Sequence, residues 1–139
     1  MGQQLEQLCL PGTLASLAQV PPWVETLASR YAISPRTAFA SNLCLEEALS
    51  NIVRHGYKTN EDQSIVVEFR HTEKELTFTI VDSAPHFRPG TDAAIEPSSL
   101  EELQPGGLGI PLMRKFADFV EWEPLEKGNR LTLGFARQR

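Results

Sequence analysis

The sequence predicts an α+β fold in which helices cover one face of a β-sheet. Between Leu45 and Val53, apolar residues recur every three or four positions, which is typical of a helix with one buried stripe. From Leu76 to Ile80, apolar residues alternate with threonines, as expected of a strand that buries one face. With 139 residues, of which 41% are hydrophobic, the chain is long enough to enclose one core, and we expect a single domain over residues 1–139.

The first half of the chain predicts a short strand followed by two helices. The strand covers residues 4–10, and a helical segment runs from Leu14 to Tyr31. Pro21-Pro22 must bend or restart this helix, because proline has no amide hydrogen to donate. Ser34-Pro35 combines a capping side chain with proline at the first helical position, so we expect a second helix to begin there and to end near Gly56.

A hairpin and a long loop are predicted next. Ile65 to Phe69 and Leu76 to Asp82 are the strands of the hairpin, and the polar residues 71–75 form the turn between them. The composition from Ser83 to Gly106 is dominated by small, polar and proline residues, which predicts a loop. Loops of this length inside a domain are usually functional or disordered.

The end of the chain predicts a short helix and two further strands. The helix follows the glycine cluster that ends at Gly109. The strands lie around residues 120–123 and 130–135, with Gly128-Asn129 in the turn that separates them. Trp122 is expected to be a packing residue.

Composition and charge disfavour several kinds of partner. The net charge is -5 and no basic stripe is present, which argues against direct binding of nucleic acid. No apolar stretch reaches the length of about 18 residues that a membrane span needs. Cys9 and Cys44 lack the spacing of a metal-binding or redox pair and have apolar neighbours, so we expect reduced core thiols in a cytoplasmic protein.

Three polar residues of the second helix, Glu47, Asn51 and His55, are spaced four apart and are predicted to share one face. A carboxylate there is suited to orient or deprotonate an attacking hydroxyl, and an amide oxygen is a hard ligand suited to Mg²⁺. The competing interpretation is a solvated helix face, with His55 as a hydrogen-bonded residue at the helix end.

Asp82 ends a predicted strand on the same parity as Leu76, Phe78 and Ile80, so its side chain should point to the covered side of the sheet. A carboxylate that enters an apolar layer needs a hydrogen-bond donor. An adenine amino group is one such donor, and a backbone amide in the following turn is the structural alternative.

The third candidate segment is Pro105-Gly106-Gly107-Leu108-Gly109, which leads into a predicted helix. Free backbone N–H groups at the positive end of a helix form a natural cradle for phosphate. The alternative is a simple helix cap. The segment is not a P-loop, because no Gly-Lys-Ser/Thr sequence follows it.

Taken in order, these segments resemble the GHKL family, which includes histidine kinases, gyrases and heat-shock chaperones, and within it the anti-sigma-factor serine/threonine kinases. The asparagine box of those kinases is similar to residues 47–57, which read EALSNIVRHGY. Their first glycine box, D-x-G-x-P-F-x-P, is similar to residues 82–89, and their second to residues 106–114. Similarity of order and length covers nearly the whole chain.

The resemblance implies a Bergerat-type two-layer α/β sandwich, with helices packed on one face of a mixed, mainly antiparallel sheet. It implies that ATP is held with Mg²⁺ under the loop of residues 90–105. Glu47 is implied as general base, Asn51 as Mg²⁺ ligand and Asp82 as adenine anchor. The residues implied in nucleotide binding are Asn51, Arg54, His55, Asp82, Ala84, Phe87, Gly106, Gly107, Leu108 and Gly109.

Two departures from the family pattern bear on nucleotide binding. Ala84 stands where the first box has glycine, which places a methyl group near the expected base and would weaken nucleotide binding. No Lys or Arg occurs between Pro89 and Met113. Charge compensation for a triphosphate is therefore expected from Mg²⁺, backbone N–H groups and an arginine such as Arg54.

The resemblance favours a kinase that phosphorylates a serine of an anti-sigma-factor antagonist of the STAS type and sequesters a sigma factor by partner exchange. The alternative is a nucleotide-responsive binding module of the same fold that holds its partner without phosphorylating it. A histidine-kinase catalytic fragment is disfavoured, because the sequence has no long helical dimerisation segment with a phosphoacceptor histidine. Whether the protein forms a homodimer is left open.

Overall fold

The computed structural model describes residues 4–57, 63–85 and 109–137, which form an α+β fold. The strands are β1 (Gln4–Pro11), β2 (Ser64–His71), β3 (Glu75–Asp82), β4 (Phe119–Leu125) and β5 (Gly128–Ala136). The helices are α1 (Val20–Tyr31), α2 (Pro35–Asn51) and α3 (Gly109–Phe116), with a 3₁₀ helix at Leu14–Gln19 before α1 and a π-helical turn at Ile52–Tyr57 after α2.

The five strands form one sheet in the order β1-β2-β3-β5-β4. Each neighbouring pair in this order is antiparallel, so the described sheet is more uniform than the mixed, mainly antiparallel sheet that we expected. β3 lies at the centre of the sheet. β1 and β2 meet at Pro11 and Ser64, and β3 and β5 at Asp82 and Asn129, so these four residues lie at the same end of the sheet.

The helices cover one face of the sheet, as the sequence predicts. Alternate residues of the central strands are fully buried and belong to the same core cluster as the apolar stripe of α2. The intervening residues of β2 and β3 are exposed or partly exposed, so the other face lacks such a cover among the described residues. The buried strand residues are Ile65, Val67, Phe69, Leu76, Phe78, Ile80, Leu131, Leu133 and Phe135, and the helices contribute Val24, Leu27, Leu45, Ala48, Leu49 and Met113.

The predicted helix starts are confirmed and have local causes, whereas α2 ends at Asn51 and a π-helical turn continues the helical segment to Tyr57, next to the predicted end at Gly56. The 3₁₀ helix ends at Gln19 and α1 begins at Val20, so Pro21-Pro22 occupy the first turn of a restarted helix, where the missing amide hydrogens are not needed. The Ser34 side chain accepts a hydrogen bond from the Thr37 N–H and caps α2, with Pro35 in the first position.

Two turn predictions need correction. Residues 71–75 were expected to form a turn, but His71 ends β2, and its ring lies 4.4 Å from the Tyr31 ring between centroids. Gly128-Asn129 were also expected in a turn, but both belong to β5. In each case pairing with the neighbouring strand extends the ladder beyond the apolar residues that define the pattern.

The cysteine prediction is correct for one residue only. Cys44 is buried in α2, where burial and, second, the negative charge of Glu47 raise the pKa of its thiol to about 12. Cys9 is exposed because it lies on the outward parity of β1, opposite to the buried Leu10.

In the described part of the chain, no helix has both the length and the apolar character that crossing a membrane requires.

Candidate functional site

The carboxylate of Asp82 lies in the layer between sheet and helices, as its strand parity predicts. Asp82 is the last residue of β3 and only 6% exposed, and the alternate residues Leu76, Phe78 and Ile80 are fully buried. Burial raises the pKa of Asp82 above its ordinary value, and hydrogen bonds to the carboxylate offset this in part. The position is therefore costly for a negative charge and suited to a ligand that donates a hydrogen bond.

Among the described residues, two hydrogen bonds reach the carboxylate of Asp82, and both are accepted by the same oxygen. Oδ1 accepts from the backbone N–H of Ala84 at 2.8 Å and from Nδ2 of Asn129 at 2.9 Å. The backbone donor that we considered as the structural alternative is thus present. No described residue donates a hydrogen bond to Oδ2, so this oxygen is available to a further donor such as an amino group.

Asn129 fixes the orientation of this carboxylate. Its Nδ2 also lies 3.2 Å from the carbonyl oxygen of Ala84 and 3.1 Å from that of Pro85. Its Oδ1 accepts a hydrogen bond of 2.9 Å from the indole N–H of Trp122. Trp122 therefore has a polar role beyond the packing role that the sequence predicts.

Gly128 permits the close approach of β5 to the end of β3. Its φ is 115°, a conformation that residues with a Cβ rarely adopt. A Cβ at this position would lie 1.8 Å from the carbonyl oxygen of Asp82. Only glycine fits beside the candidate anchor.

Ala84 is accommodated without disturbing this arrangement. It is 4% exposed, its N–H donates to Asp82 and its carbonyl accepts from Asn129. The methyl group that replaces the expected hydrogen is thus packed into the protein.

Asn51, the last residue of α2, carries an unused acceptor. The residue is 5% exposed, and its Oδ1 is buried without a hydrogen-bond partner among the described residues. An unpaired buried polar atom is costly, so this oxygen is suited to a partner such as an ion or a ligand, and Oδ1 of Asn42 shares the feature.

Arg54 and His55 lie in the π-helical turn and are exposed. We expected Glu47, Asn51 and His55 to share one face of an α-helix. Glu47 and Asn51 both lie in α2, whereas His55 lies in the π turn, where the spacing of an α-helical face does not apply. His55 has an interaction partner in the structure, in line with its interpretation as a helix-end residue.

Glu47 lies on the wall of a cleft with a volume of about 590 Å³. One side of the cleft is formed by apolar residues of the 3₁₀ helix and the start of α1, including Leu17 and Val20. The other side is polar and includes Glu46 and Arg54 of the α2 segment. Glu47 is partly buried and therefore reachable from the cleft.

Some predicted site residues lie outside the described residues. These are Phe87, Gly106, Gly107 and Leu108, together with the loop of residues 90–105. Gly109 is described as the first residue of α3, so the second glycine box does lead into a helix.

The described residues fit a Mg-nucleotide better than a protein-only metal site. No group of three or more His, Cys, Asp or Glu suited to a metal occurs among them. Mg²⁺ in nucleotide sites is commonly held by one or two protein ligands, with phosphate oxygens and water completing its shell. One protein ligand, the amide oxygen of Asn51, fits that mode of binding.

Asn129 is a functional candidate that our interpretation of the sequence missed. It has the same parity in β5 as the buried residues Leu131 and Leu133. The same alternation that predicts a buried Asp82 also predicts a buried Asn129. We missed it because Gly128-Asn129 is a typical turn sequence.

A buried strand-end carboxylate, an orphaned amide oxygen at a helix end and a helix that begins at Gly109 are features expected of a nucleotide-binding α+β protein. The profile of the histidine kinase-like ATPase domain matches residues 10–135. The chain therefore belongs to the histidine kinase-like ATPase, or GHKL, family, and membership of an ATPase family implies that it binds ATP.

The chain is also similar to proteins that are named as a serine/threonine kinase and as an anti-sigma factor. The chain is 33% identical to serine/threonine-protein kinase BtrW of Bordetella bronchiseptica, over 96% of this chain and 94% of that protein. It is 28% identical to anti-sigma F factor of Clostridium perfringens, over 86% of this chain and 79% of that protein. These names support kinase activity and a place in the anti-sigma-factor kinase family.

A solved structure supports the fold. The histidine kinase domain of the blue-light activated histidine kinase EL346 from Erythrobacter litoralis matches with a TM-score of 0.52 and 18% identity. The match covers 91% of this chain and 61% of that one. At this level of identity the likeness shows the architecture alone.

Proposed function

We propose that this chain is a cytoplasmic serine/threonine protein kinase built as one histidine kinase-like domain. It uses Mg-ATP to phosphorylate a serine of an anti-sigma-factor antagonist of the STAS type, and it sequesters a sigma factor by partner exchange. The names of the relatives support the choice of partners, and the geometry of α2 supports the chemistry.

The observation that carries the proposal is the pairing of Glu47 with Asn51 on α2. Glu47 lines an open cleft, and Asn51 presents a buried oxygen without a partner among the described residues. The two residues are one helical turn apart, so a group held at Asn51 and an acceptor that enters the cleft would lie close together. Phosphoryl transfer needs mainly this kind of positioning, together with charge compensation.

Each residue then has a distinct role. Asp82 accepts a hydrogen bond from the adenine amino group and places the base. Asn51 would hold a Mg²⁺ ion through its side-chain oxygen, and the ion would supply positive charge to offset that of the phosphates. Glu47 orients the acceptor hydroxyl and takes its proton, while Arg54, which lines the same cleft, supplies positive charge.

The test is a comparison of Glu47→Gln with the wild type. The substitution preserves size and hydrogen bonding but removes the basic charge. We expect Mg-ATP affinity and antagonist affinity to be retained, while the rate of phosphate transfer from labelled ATP falls by about 10²–10⁴-fold, the range for a lost general base.

Glu46→Gln is the matched control, because Glu46 lines the same cleft and loses the same charge one position away. It should transfer phosphate at a rate close to that of the wild type. If wild-type protein binds ATP and the antagonist but phosphorylates none of the serine-containing antagonists offered, the chain is the non-catalytic binding module instead.

A further inference from the structure

We propose that Tyr57 is a positioning residue for the adenine anchor, acting through the backbone of the turn that follows Asp82. The inference rests on the proposed role of Asp82 in binding the base. It adds a specificity-determining residue that the roles assigned above do not include.

The phenol of Tyr57 bridges two strands at the end of the sheet where Asp82 lies. Its oxygen accepts a hydrogen bond of 2.8 Å from the backbone N–H of Ser83, and it donates one of 2.7 Å to the carbonyl oxygen of Ser64. The Ser83 hydroxyl lies 3.3 Å from the phenol and donates to Oε1 of Gln63 at 2.7 Å. The hydroxyl hydrogen of Tyr57 is donated to Ser64 and that of Ser83 to Gln63, so neither is available for a bond between the two hydroxyls. The bond from the Ser83 N–H is therefore the stronger link between Tyr57 and this turn.

The ring of Tyr57 is held firmly. The residue is 5% exposed and ends the π-helical turn that follows Asn51. A Cβ at Gly12 would come within 2.6 Å of its Cδ2 atom, so the ring packs directly on the backbone at the end of β1. The Gly12 N–H in turn donates to the carbonyl oxygen of Gln63 at 2.8 Å.

As a result, the position of Asp82 is restricted by two contacts. Asn129 holds the carboxylate itself through Oδ1, and Tyr57 holds the next peptide unit of the backbone. Together these contacts fix the direction of Oδ2. Because Tyr57 lies six residues after Asn51 in the same helical segment, it also joins the proposed Mg²⁺ ligand to the proposed adenine anchor.

The test compares two triphosphates that differ at the base. ATP carries the exocyclic amino group that Asp82 is proposed to accept, and purine riboside triphosphate lacks it. We expect Tyr57→Phe to weaken Mg-ATP binding by about 3- to 10-fold, the effect of one hydrogen bond, and to leave binding of Mg-purine riboside triphosphate unchanged. Both affinities are measured by calorimetry on protein whose thermal unfolding is cooperative.

Two controls separate this role from general loss of structure. Tyr31→Phe removes a phenol that bonds to Glu6 at 2.5 Å near the opposite end of the sheet, and Ser83→Ala keeps the backbone N–H. Both should retain the preference for ATP. Gly12→Ala should displace the ring of Tyr57 while retaining its hydroxyl group. We expect it to reduce the preference for ATP over purine riboside triphosphate, as Tyr57→Phe does. If Tyr57→Phe does not fold, Gly12→Ala tests the proposal in its place.

Equal losses for the two triphosphates, or an unchanged preference for ATP in both Tyr57→Phe and Gly12→Ala, would overturn the role of Tyr57 alone. A wild-type protein with no preference for ATP over purine riboside triphosphate would overturn the assignment of Asp82, and the role of Tyr57 with it.

Discussion

Asp82 shows how a single residue can oppose folding while serving a site. Its carboxylate is buried in the layer between helices and sheet, and desolvation is the largest influence on its raised pKa. A residue selected for stability alone would be apolar here, like its alternate neighbours in β3. The cost is consistent with a ligand that makes use of the unengaged oxygen.

The first prediction concerns stability and pH. A raised pKa in the folded state means that the folded protein binds the Asp82 proton more readily than the unfolded chain, so ionisation opposes folding above that pKa. Asp82→Asn should therefore be more stable than wild type at neutral pH. The difference in the free energy of unfolding between Asp82→Asn and the wild type should shrink as the pH falls through the folded-state pKa of Asp82. Below that pKa the wild-type carboxyl is protonated, so it no longer carries a buried charge.

Denaturant unfolding of both proteins over a series of pH values measures this difference. A stability difference that does not depend on pH would show that ionisation of Asp82 is not its source.

The second prediction concerns what Asp82 binds. Asp82→Asn should weaken ATP and ADP far more than inorganic tripolyphosphate, because the residue is assigned to the base and not to the phosphates. Asp118→Asn is the control, since Asp118 is an exposed carboxylate that accepts from the Ala136 N–H at 2.6 Å near the other end of β5. Calorimetry that finds equal losses for nucleotides and tripolyphosphate would remove the assignment.

At the scale of elements, the contact between β3 and β5 decides whether the site is formed. Gly128 starts β5 at a φ of 115°, and its backbone lies directly against the carbonyl group of Asp82. Asn129 follows at once and reaches the carboxylate. The close approach of these strands is thus a condition for the hydrogen bonds that orient the anchor.

The third prediction tests this contact. Gly128→Ala should destabilise the fold by about 1–3 kcal/mol or more, because it combines backbone strain with a collision at the end of β3. It should also reduce the preference for ATP over purine riboside triphosphate, measured by calorimetry below the unfolding transition.

Gly134→Ala is the matched control in the same strand. A Cβ there would lie 1.9 Å from the Phe119 ring, at a distance from the site. It should lower the unfolding temperature yet leave the preference for ATP intact. If Gly128→Ala behaves in the same way, the contact between the strands matters for stability but not for the site.

At the scale of the whole molecule, the fold follows from patterns that short segments carry by themselves. The period of α2, the alternation in β3 and the cap at Ser34-Pro35 each depend on neighbouring residues, and the structure confirms all three. The buried position of Asp82 follows from the same alternation. The order of the strands in the sheet is not predicted by such local patterns, because it depends on contacts between segments that are distant in sequence.

The features that sequence patterns do not predict arise from those distant contacts. The π turn after Asn51 was not predicted, since π turns are rare and the apolar residues Ile52 and Val53 continue the stripe of the α-helix. The role of Asn129 depends on its register opposite Asp82. The contact between the Tyr57 phenol and Ser83 joins residues that are 26 positions apart in sequence.

The central claim is that the end of α2 and the end of β3 together hold Mg-ATP. The most direct measurement is calorimetric titration of the full chain with ATP, with and without Mg²⁺, on the wild type and Asn51→Ala. Asn42→Ala is the matched control, because Asn42 lies earlier in the same helix and also has a buried Oδ1 without a partner among the described residues.

We expect the wild type and Asn42→Ala to bind ATP more tightly when Mg²⁺ is present, and Asn51→Ala to lose most of that dependence. Wild-type protein that binds no ATP, or Asn51→Ala with an undiminished response to Mg²⁺, would contradict the account.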